Sequence, residues 1–476
     1  MQPSSGNTSL RRRLGGWFRK IRYVGREGIS LARMLDAAKR FQEAGDDAGM
    51  ASALKSVDVI AASISRTDRS FAAGWKAAVE YRLALFDLPA AARLAMRARE
   101  LQLPDAIPVT ENLAAITAET TGWRDAIAAA AISLRQGPRN SRAPHGSLLV
   151  LVPSRAFGLD LPNEPTLQGS LRFIFGEILT ACRDHAIPVE IRGRLATHGT
   201  PQMEADRRYV SHHSRGDDDR GLHIKATDRP SCFSFDTRGY SGWSKFVSTP
   251  LEELGRDDPS EAVIDEFFAR EQERIISGNI SKYRQSAAAD LTDLPAEYVF
   301  VGLQMPGDAV QQLARISMLD MLAEVAAACN PRGIPVIVKR HPKCTSGRVR
   351  RALAKGVAAG QYQLSTASVH SLIAGSCAVC VVNSSVGAEA LLHEKPVYLF
   401  GAAEYQHVCF RMGAAGDFAK LFRPGQLPVP SAVLRRFLYR LRHEYAVDVT
   451  DQAAASAFIR RRVLEHVFAG QSFGAP

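Results

Sequence analysis

The sequence predicts an α/β protein with two Rossmann-like lobes, preceded by an all-α, TPR-like helical region. Residues 379–382 form an apolar run suited to a buried strand, followed by capping residues, a short helix and a second apolar run at 397–400. Another apolar run at 334–338 ends in Lys-Arg-His-Pro, and residues 28–140 are rich in alanine with helical periodicity. These patterns predict a helical region followed by βαβ-type units.

Composition and charge favour some classes of binding partner and exclude others. The 476 residues carry a net charge of +11, which favours anionic partners such as phosphate groups, nucleotides or lipid headgroups. Nucleic acid is not an expected partner, because no aromatic-basic binding module or zinc finger is evident. Seven scattered cysteines fit a reducing compartment, and no apolar run approaches the roughly 18 residues needed to span a bilayer. We therefore expect a cytoplasmic protein, with peripheral contact at the inner face of the plasma membrane.

Residues 10–26 have the pattern of a basic amphipathic helix. Apolar residues recur along one helical face: Leu10, Leu14, Trp17, Phe18, Ile21 and Val24. Arginines and a lysine occupy most of the other side, which predicts contact with an anionic membrane surface. The alternative is a terminal helix docked on the next domain.

In the helical region at 28–140, two segments are offset by about 35 residues, close to the tetratricopeptide period. This spacing predicts a protein-binding or supporting role.

The order of apolar runs and turns predicts further elements and the domain boundaries. A buried strand at 147–152, a helix at 170–185 and a strand edge at 209–213 belong to the first lobe. A long charged helix is expected at 259–285 and another helix at 309–329. The predicted boundaries are 1–27 for the basic segment, 28–140 for the helical region, 147–255 for the first lobe, 256–292 for a connecting helix, 293–425 for the second lobe and 426–476 for C-terminal helices.

Two strand ends in the second lobe carry groups suited to an anion. Asn383, Ser384 and Ser385 precede the short helix, whose free N–H groups favour negative charge. Lys339 and His341 belong to the basic run that follows the strand at 334–338, at the edge where open α/β sheets bind ligands. The alternatives are an ordinary well-capped α/β repeat and a solvated basic loop.

Candidate catalytic groups come from the first lobe. Residues 221–244 combine glycines, hydroxyls and aromatic rings around Asp236, as suits a sugar site. Asp236 is the first candidate for a catalytic carboxylate and Asp160 the second, because a carboxylate can stabilise or attack an oxocarbenium-like sugar. His213 is a third candidate, since the adjacent histidines 212 and 213 are expected to point outward from a strand edge. The alternatives are a structural turn that Asp236 caps and a surface loop that carries the histidines.

The strand ending in K-R-H-P, then N-S-S-x-G-x-E-A-L-L, K-P-V and G-x-x-x-Y, resembles the capsule polysaccharide biosynthesis/export family. The resemblance is clear over residues 298–407 and weaker back to about 147, and Gly302 stands where the family usually has proline. It implies a GT-B-like fold and a glycosyltransferase, since the family includes capsular Kdo transferases that use a CMP-activated sugar. The motifs are specific for the family and say little about the sugar.

The resemblance also implies roles for individual residues. The nucleotide-sugar donor would lie on the second lobe, and the polysaccharide or glycolipid acceptor on the first. The implied donor-binding residues are Gln304, Asp308, Lys339, His341, Asn383, Ser384, Ser385 and Glu389. Lys339 and His341 would neutralise the departing phosphate, and Glu389 would accept hydrogen bonds from ribose or base. No cofactor or metal is expected, because these basic groups can replace a divalent ion and no DxD-type loop stands out.

Two alternatives to this function remain open. A polyol-phosphate transferase of the teichoic-acid type also carries an H-P segment on a similar fold. A non-catalytic scaffold that uses its helical repeats to bind a partner is the other. The departure at Gly302 and the lack of an assigned catalytic base keep the scaffold open.

Overall fold

The computed structural model describes, apart from short gaps, residues 31–113, 148–194, 207–286 and 294–469, together with residue 201. The predictions for residues 10–26, for Asp160 and for the second repeat-like segment lie outside the described residues. Tertiary contacts divide the chain into two compact units, residues 1–197 with 201–207 and residues 198–200 with 208–476.

The described N-terminal part of the first unit includes four helices with defined bounds. They are α1 (Leu31–Glu43), α2 (Asp47–Ser63), α3 (Arg69–Ala84) and α4 (Leu88–Glu100). Arg82 on α3 is buried and pairs with Asp58 on α2 at 2.7 Å and with Asp87 at 2.9 Å. Asp87 also caps α4, because its side chain accepts the Ala90 backbone N–H. These residues are helical as predicted, whereas the tetratricopeptide-like repeat stays a prediction.

The same unit contains a strand–helix–strand segment. Its elements are β1 (Leu148–Pro153), α5 (Pro165–Asp184) and β2 (Val189–Arg194), and β1 pairs with β2 in parallel. All six residues of β1 are buried, which fits the continuous apolar run that predicted this strand. The helix begins at Pro165, earlier than the predicted residue 170, and proline is well tolerated in a first helical turn.

The second unit contains two groups of strands. The first consists of β3 (Tyr209–His212), β4 (Gly221–Ala226), β5 (Cys232–Asp236) and β12 (Ala446–Asp448). β3 and β4 are parallel, β5 is antiparallel to β4, and β12 adds to β5 in antiparallel orientation. β12 comes from the C-terminal region, for which the sequence predicted only helices. Its three residues lie between longer helical stretches and are too few to show a strand period.

The helix predicted for residues 259–285 is shorter in the structure. After α6 (Lys245–Ser248), α7 spans Glu261–Gln272, a π turn continues to Ser277, and the described residues beyond it are not helical. Gly278 and Asn279 end the helix, with Asn279 in the left-handed region at φ 51°. Residues 281–286, which follow, are therefore non-helical.

The second group of strands forms a six-stranded, fully parallel sheet. Its strands are β6 (Tyr298–Gly302), β7 (Val336–Lys339), β8 (Gln363–Leu364), β9 (Ser376–Val381), β10 (Val397–Leu399) and β11 (Phe410–Arg411). Their order is β11-β10-β9-β6-β7-β8, with every pairing parallel. The chain therefore winds outward in both directions from β6, and the crevice between β6 and β9 is a topological switch point.

Helices cover both faces of this sheet. They include α8 (Met318–Cys329), α9 (Gly347–Ala358), α10 (Val369–Ala374) and α11 (Val386–Leu392). Residues of β6 alternate between two apolar clusters, with Val299 and Val301 in one and Phe300 in the other. The helix predicted for 309–329 is split, because Ala309–Leu313 is a 3-10 turn and Ser317 caps a new start for α8. The mixed α/β class predicted from the sequence is thus confirmed.

Three helices complete the second unit. They are α12 (Asp417–Leu421), α13 (Ser431–Arg440) and α14 (Gln452–Val467). Arg435 on α13 pairs with Asp265 on α7 at 3.0 Å, and its guanidinium also lies 5.1 Å from the Phe268 ring centre. No helix in the described part of the chain has the length and apolar character needed to cross a bilayer.

Candidate functional site

Gln304 and Asn383 join the strand ends at the switch point. The Gln304 amide donates to Asn383 Oδ1 at 2.6 Å, and the Asn383 backbone N–H donates to Gln304 Oε1 at 3.1 Å. Asn383 Nδ2 also donates to the Val310 carbonyl at 2.7 Å. Both side chains are buried, so this reciprocal pair fixes the separation of the β6 and β9 ends.

A cavity opens at this pair, and we call it the central cavity. It receives side chains from both groups of strands in the second unit and from the segment that follows α7. The polar residues lining it are Lys225, Thr227, Ser234, Tyr240, Ser241, Lys282, Tyr283, Gln304, Asp308, His341, Asn383, Ser384, Ser385, Glu404 and Tyr445. The structure thus brings together six of the predicted donor-binding residues.

A second pocket, the carboxyl pocket, adjoins the central cavity. His341, Ser384 and Ser385 line both, whereas Lys339 and Glu389 line the carboxyl pocket and not the central cavity. Each of the eight predicted donor-binding residues therefore lines at least one of these two adjoining pockets.

His341 is half-buried where these spaces meet. Its Nδ1 accepts the Lys343 backbone N–H at 3.1 Å, so the neutral ring carries its proton on Nε2. The ring also meets Tyr283 edge-on, with 4.9 Å between ring centres. Burial lowers the pKa of His341 below 6.5, although the nearby Asp308 carboxylate opposes that shift. The imidazole is thus mostly neutral near pH 7.

Lys339 is held by the backbone. Its Nζ donates to the Thr366 carbonyl at 3.3 Å and to the Ala367 carbonyl, and burial lowers the pKa of its ammonium group. Two of the three ammonium protons are thereby used. One proton is left for a ligand in the adjoining pocket.

The segment from Ser384 to Gly387 has a different local structure from the one expected. Helix α11 has only seven residues, Ser385 is already in the helical region, and no side chain caps the helix at Ser385. Ser384 Oγ instead accepts the Val386 N–H at 3.3 Å, and the Ser384 carbonyl accepts the Tyr405 hydroxyl. Gly387 permits that second contact, because a Cβ there would lie 2.5 Å from Tyr405 Oη.

Glu389 has a partly unsatisfied carboxyl group. It is 3% exposed, and its Oε1 accepts the Ser281 hydroxyl at 3.0 Å. Oε2 has no hydrogen-bond partner among the described residues, and His370 Nε2 lies 3.8 Å from it. Burial raises the pKa of Glu389 to about 8, and the charge of Asp228 adds to the rise. The neutral carboxyl thus presents an O–H donor, which differs from the acceptor role implied by the family resemblance.

Two histidines support this pocket, and no sequence pattern pointed to them. His370 Nδ1 lies 3.0 Å from His393 Nε2, and His370 Nε2 donates to the Ile280 carbonyl at 2.8 Å. His370 Nδ1 is therefore the acceptor and His393 Nε2 the donor of the bond between the two rings. Burial lowers the pKa of both rings, that of His393 to about 3, so neither is charged beside Glu389.

Asp236 is buried and bound to backbone amides. Its Oδ1 accepts the N–H groups of Arg238 at 2.7 Å, Gly239 at 3.0 Å and Lys245 at 2.8 Å, and its Oδ2 accepts that of Phe246 at 3.2 Å. This geometry favours the turn-capping interpretation, since four donors already surround the carboxylate. Its predicted catalytic role stays a prediction.

His213 does not point outward from a strand edge as predicted. It is 8% exposed, has φ 52°, and packs edge-on against Tyr240 with 5.1 Å between ring centres. His212 is also buried, because β3 is paired along its length with β4 and both of its faces are covered. The outward orientation is therefore wrong, and a catalytic role for His213 stays a prediction.

Glu404 is a cavity carboxyl group that the sequence analysis missed. It is half-buried, lines the central cavity, and shares it with Lys282 and Tyr445. Burial raises the pKa of Glu404, while a hydrogen bond with Ser241 opposes the shift. Ser241 itself has φ 51°, an uncommon conformation for a serine. Glu404 is one of the variable residues in the G-x-x-x-Y motif, so only the fold shows that it lines the central cavity.

Comparison with known proteins agrees with these motifs over part of the chain. Residues 266–410 match the model of a family described as capsule polysaccharide biosynthesis protein, which confirms the resemblance over that segment. No curated protein matches the sequence.

Several solved structures align with low identity. The Thermosulfurimonas dismutans KpsC β-Kdo 2,4 transferase is 14% identical over 67% of this chain and 98% of its own, with a TM-score of 0.42. The KpsC β-Kdo 2,7 transferase from the same organism is 16% identical over 60% and 96%, with a TM-score of 0.38. The Methanocaldococcus jannaschii UDP-GlcNAc 2-epimerase is 10% identical over 62% and 99%, with a TM-score of 0.26.

Proposed function

We propose that the protein is a glycosyltransferase that moves a sugar from a nucleotide-activated donor to a capsule or other surface glycan acceptor. One observation carries the proposal: the Gln304–Asn383 pair, His341, Ser385, Glu389 and Glu404 line two adjoining cavities. Both groups of strands in the second unit contribute to the walls of the central cavity. The family match over residues 266–410 supports the same activity. We further propose a CMP-linked donor, following the family resemblance alone.

The donor phosphate would lie between His341 and Ser385. His341 can donate from Nε2 and gains positive charge when a phosphate raises its pKa. Lys339 supplies its remaining proton to the same region. These groups would stabilise the negative charge that develops as the phosphate leaves, without a divalent ion. Transfer that persists in a chelator would support this role, and complete loss would contradict it.

Glu389 would hold the nucleoside. Its protonated Oε2 can donate to an oxygen or ring nitrogen of the ligand, while Oε1 is held by Ser281. Satisfying that buried donor is favourable, because an unpartnered polar group in an apolar site costs about 1–3 kcal/mol. The nucleoside would thus fill the carboxyl pocket.

Glu404 would act as the catalytic base. The acceptor hydroxyl oxygen forms a bond to the anomeric carbon, the bond from that carbon to the phosphate oxygen breaks, and its electron pair leaves with the phosphate. The hydroxyl proton passes to the Glu404 carboxylate. A carboxylate in a partly buried site is a stronger base than one in water, which suits this step. Asp236 would position the adjoining loop, and Asp160 stays a catalytic prediction.

The test is a thermal-shift screen of purified protein against CMP-, UDP-, GDP- and CDP-linked compounds, followed by a transfer assay with the compound that binds. We expect one nucleotide class to stabilise the protein, and Glu404→Gln to retain binding while transfer falls at least about 100-fold. Glu253→Gln is the control, because Glu253 is exposed and lies outside both cavities.

Failure of every nucleotide to bind would favour a non-catalytic scaffold. Stabilisation only by a CDP-linked polyol would favour the polyol-phosphate transferase. Full transfer by Glu404→Gln would return the catalytic assignment to Asp236, Asp160 or His213.

A further inference from the structure

The segment between Glu324 and Glu389 carries side chains of positive charge only. Residues 325–388 contain eight lysines and arginines and no aspartate or glutamate, although the whole chain has 49 acidic residues among 476. Lys339 and His341 of this segment belong to the proposed donor site, where positive charge can bind phosphate. That site does not explain the cations of the segment that lie away from it.

Helix α9 presents several of these cations to solvent. Val349, Leu353 and Gly356 are buried and form its inner side, with helical spacing. The opposite side is exposed and carries three basic residues: Arg348, Arg351 and Lys355. These side chains line neither the central cavity nor the carboxyl pocket, and none forms an ion pair with a carboxylate in the parts of the chain that the structure describes.

Two exposed apolar side chains lie near the basic side of α9. Val357, in the last turn of the helix, is 41% exposed, and Leu364, on the edge strand β8, is 49% exposed. Both line one pocket at this edge of the sheet, and Leu364 also lines a neighbouring cavity together with Arg350. Aliphatic and basic groups therefore occupy adjacent parts of the surface. We call this surface the α9 face, and it consists of Arg348, Arg350, Arg351, Lys355, Val357 and Leu364.

We infer that the α9 face binds an anionic membrane surface. Lysine and arginine side chains are attracted by anionic lipid headgroups, and exposed aliphatic side chains gain when they enter the boundary between headgroups and acyl chains. The face supplies both kinds of group and belongs to a segment without acidic residues that anionic lipids would repel. It is separate from residues 10–26, for which the sequence alone predicts membrane contact. The inference does not depend on the proposed transfer reaction.

A membrane fits the α9 face better than nucleic acid does. The phosphates of DNA or RNA would also match the positive charge. Binding sites for single strands, however, combine basic groups with aromatic rings on which the bases stack, whereas the apolar members of this face are Val357 and Leu364. Aliphatic side chains gain from a hydrocarbon boundary and gain little from a phosphate backbone.

The experiment measures flotation of the full chain with two kinds of vesicle, one of phosphatidylcholine mixed with phosphatidylglycerol and one of phosphatidylcholine alone. The test protein is Arg351→Gln/Lys355→Gln. The control is Lys55→Gln/Arg93→Gln, which removes the same charge from exposed positions of α2 and α4 in the first unit. At about 0.1 M salt, the wild type and the control should bind the anionic vesicles, and the test protein should bind them at least about tenfold more weakly. None of the three should bind phosphatidylcholine alone.

Two results with these proteins would overturn the inference. Equal losses in the test and control proteins would do so, because binding would then reflect net charge alone. Undiminished binding by the test protein would do so as well, since residues 10–26 are present in every variant and would then account for the binding. Absence of wild-type binding to anionic vesicles, or equal binding to both kinds of vesicle, would have the same consequence.

A second pair of variants tests the apolar part of the contact. Val357→Ser/Leu364→Ser should bind the anionic vesicles at least about threefold more weakly than the wild type, because its side chains no longer enter the acyl boundary. Val59→Ser/Met96→Ser, which changes exposed apolar residues of the first unit, should bind as the wild type does.

A DNA control decides between the two polyanions. Double-stranded DNA should not replace the vesicles as the ligand of this face. If DNA binds the wild type, the test protein loses that binding, and anionic vesicles do not bind, then the α9 face is a nucleic-acid site and the inference fails. Wild-type vesicle binding by Val357→Ser/Leu364→Ser would also overturn it, because positive charge alone does not distinguish a membrane from DNA.

Discussion

At the scale of single residues, burial controls the charge of Glu389. Its pKa in the folded protein is about 8, well above the ordinary value of 4.5. At pH values between these two, the folded protein therefore holds a proton on Glu389 that the unfolded chain has lost. Stability should therefore fall as pH rises from about 4.5 to about 8, with a slope of at most about 1.4 kcal/mol per pH unit. Glu389→Gln removes this contribution and should flatten the curve.

Chemical denaturation at pH 5, 6.5 and 8 measures this difference. Glu389→Gln should gain stability relative to the wild type as pH rises, whereas Glu253→Gln should follow the wild type. Parallel curves for Glu389→Gln and the wild type would show that Glu389 is already ionised at neutral pH.

Variants of Asp236 test whether its buried carboxylate positions a loop or takes part in sugar transfer. Asp236→Ala leaves four backbone N–H groups without their acceptor and should destabilise the protein by at least about 2 kcal/mol. Asp236→Asn keeps one oxygen acceptor for the three N–H groups on Oδ1, so it should fold and retain substantial transfer. Denaturation midpoints and turnover with the identified donor measure both effects.

One result would contradict the loop-positioning role of Asp236. If Asp236→Asn folds and binds the donor with wild-type affinity but transfers no sugar, Asp236 is catalytic, as the sequence alone predicts. Circular dichroism of both variants controls for folding.

At the scale of elements, Gly387 sets how closely α11 approaches Tyr405. A methyl group at this position would lie 2.5 Å from Tyr405 Oη, well inside contact distance. Gly387→Ala should therefore destabilise the protein by about 1–3 kcal/mol, as overpacking does, and displace Ser384 from the cavity. The matched control is Gly307→Ala, because no atom lies within 4 Å of its added Cβ.

Thermal denaturation and nucleotide binding measure this prediction. We expect both to be impaired in Gly387→Ala and unchanged in Gly307→Ala. Equal behaviour of the two variants would show that Tyr405 moves away at little cost and does not fix the Ser384 backbone.

Elements with long apolar runs were predictable from the sequence, whereas contacts between distant segments were not. The strands β6, β7, β9 and β10 coincide with the apolar runs, since a buried parallel strand needs apolar residues on both faces. The three residues of β12 have no such signature, and only pairing with β5 makes them a strand.

The residues of the candidate site likewise divide into those predictable from the sequence and those that were not. Gln304, His341 and Asn383 follow predicted strands, so their meeting at one edge follows from parallel topology. Glu404 and the pair His370–His393 depend on loop paths and side-chain packing, which no local pattern records. The charge of Glu389 likewise depends on burial, which is a property of the folded chain.

At the scale of the whole molecule, a buried ionic cluster links the C-terminal region to the rest of the second unit. Arg442 donates to Asp228 Oδ1 at 2.8 Å, and Arg229 pairs with Glu271 at 3.0 Å. Arg274 connects Glu271 to Asp448 of β12 with a contact of 2.9 Å to Asp448. These contacts hold the end of β4, the helix α7 and β12 together.

Removing one charged partner from this cluster should lower the free energy of unfolding substantially. Arg442→Leu leaves Asp228 buried without its main counterion and should destabilise the protein by about 3–5 kcal/mol. Arg442→Leu/Asp228→Asn removes both charges and should recover a large part of that loss. Denaturant titration measures both proteins, with Arg436→Leu as the control for a more exposed arginine. No recovery in the double variant would show that shape, and not charge, dominates at this site.

The central claim is that a donor phosphate binds at His341 in the central cavity. The most direct measurement is calorimetric titration of the nucleotide found in the screen into wild type, His341→Ala and the control His443→Ala, at pH 6 and pH 8. Because the pKa of His341 lies below 6.5 without a ligand, phosphate binding must draw a proton onto the ring.

The wild type should therefore bind more tightly at pH 6 than at pH 8. His341→Ala should bind more weakly by about 1.5–3 kcal/mol and lose that pH dependence, while His443→Ala keeps both. A folded His341→Ala protein that binds the nucleotide with wild-type affinity at both pH values would contradict the account.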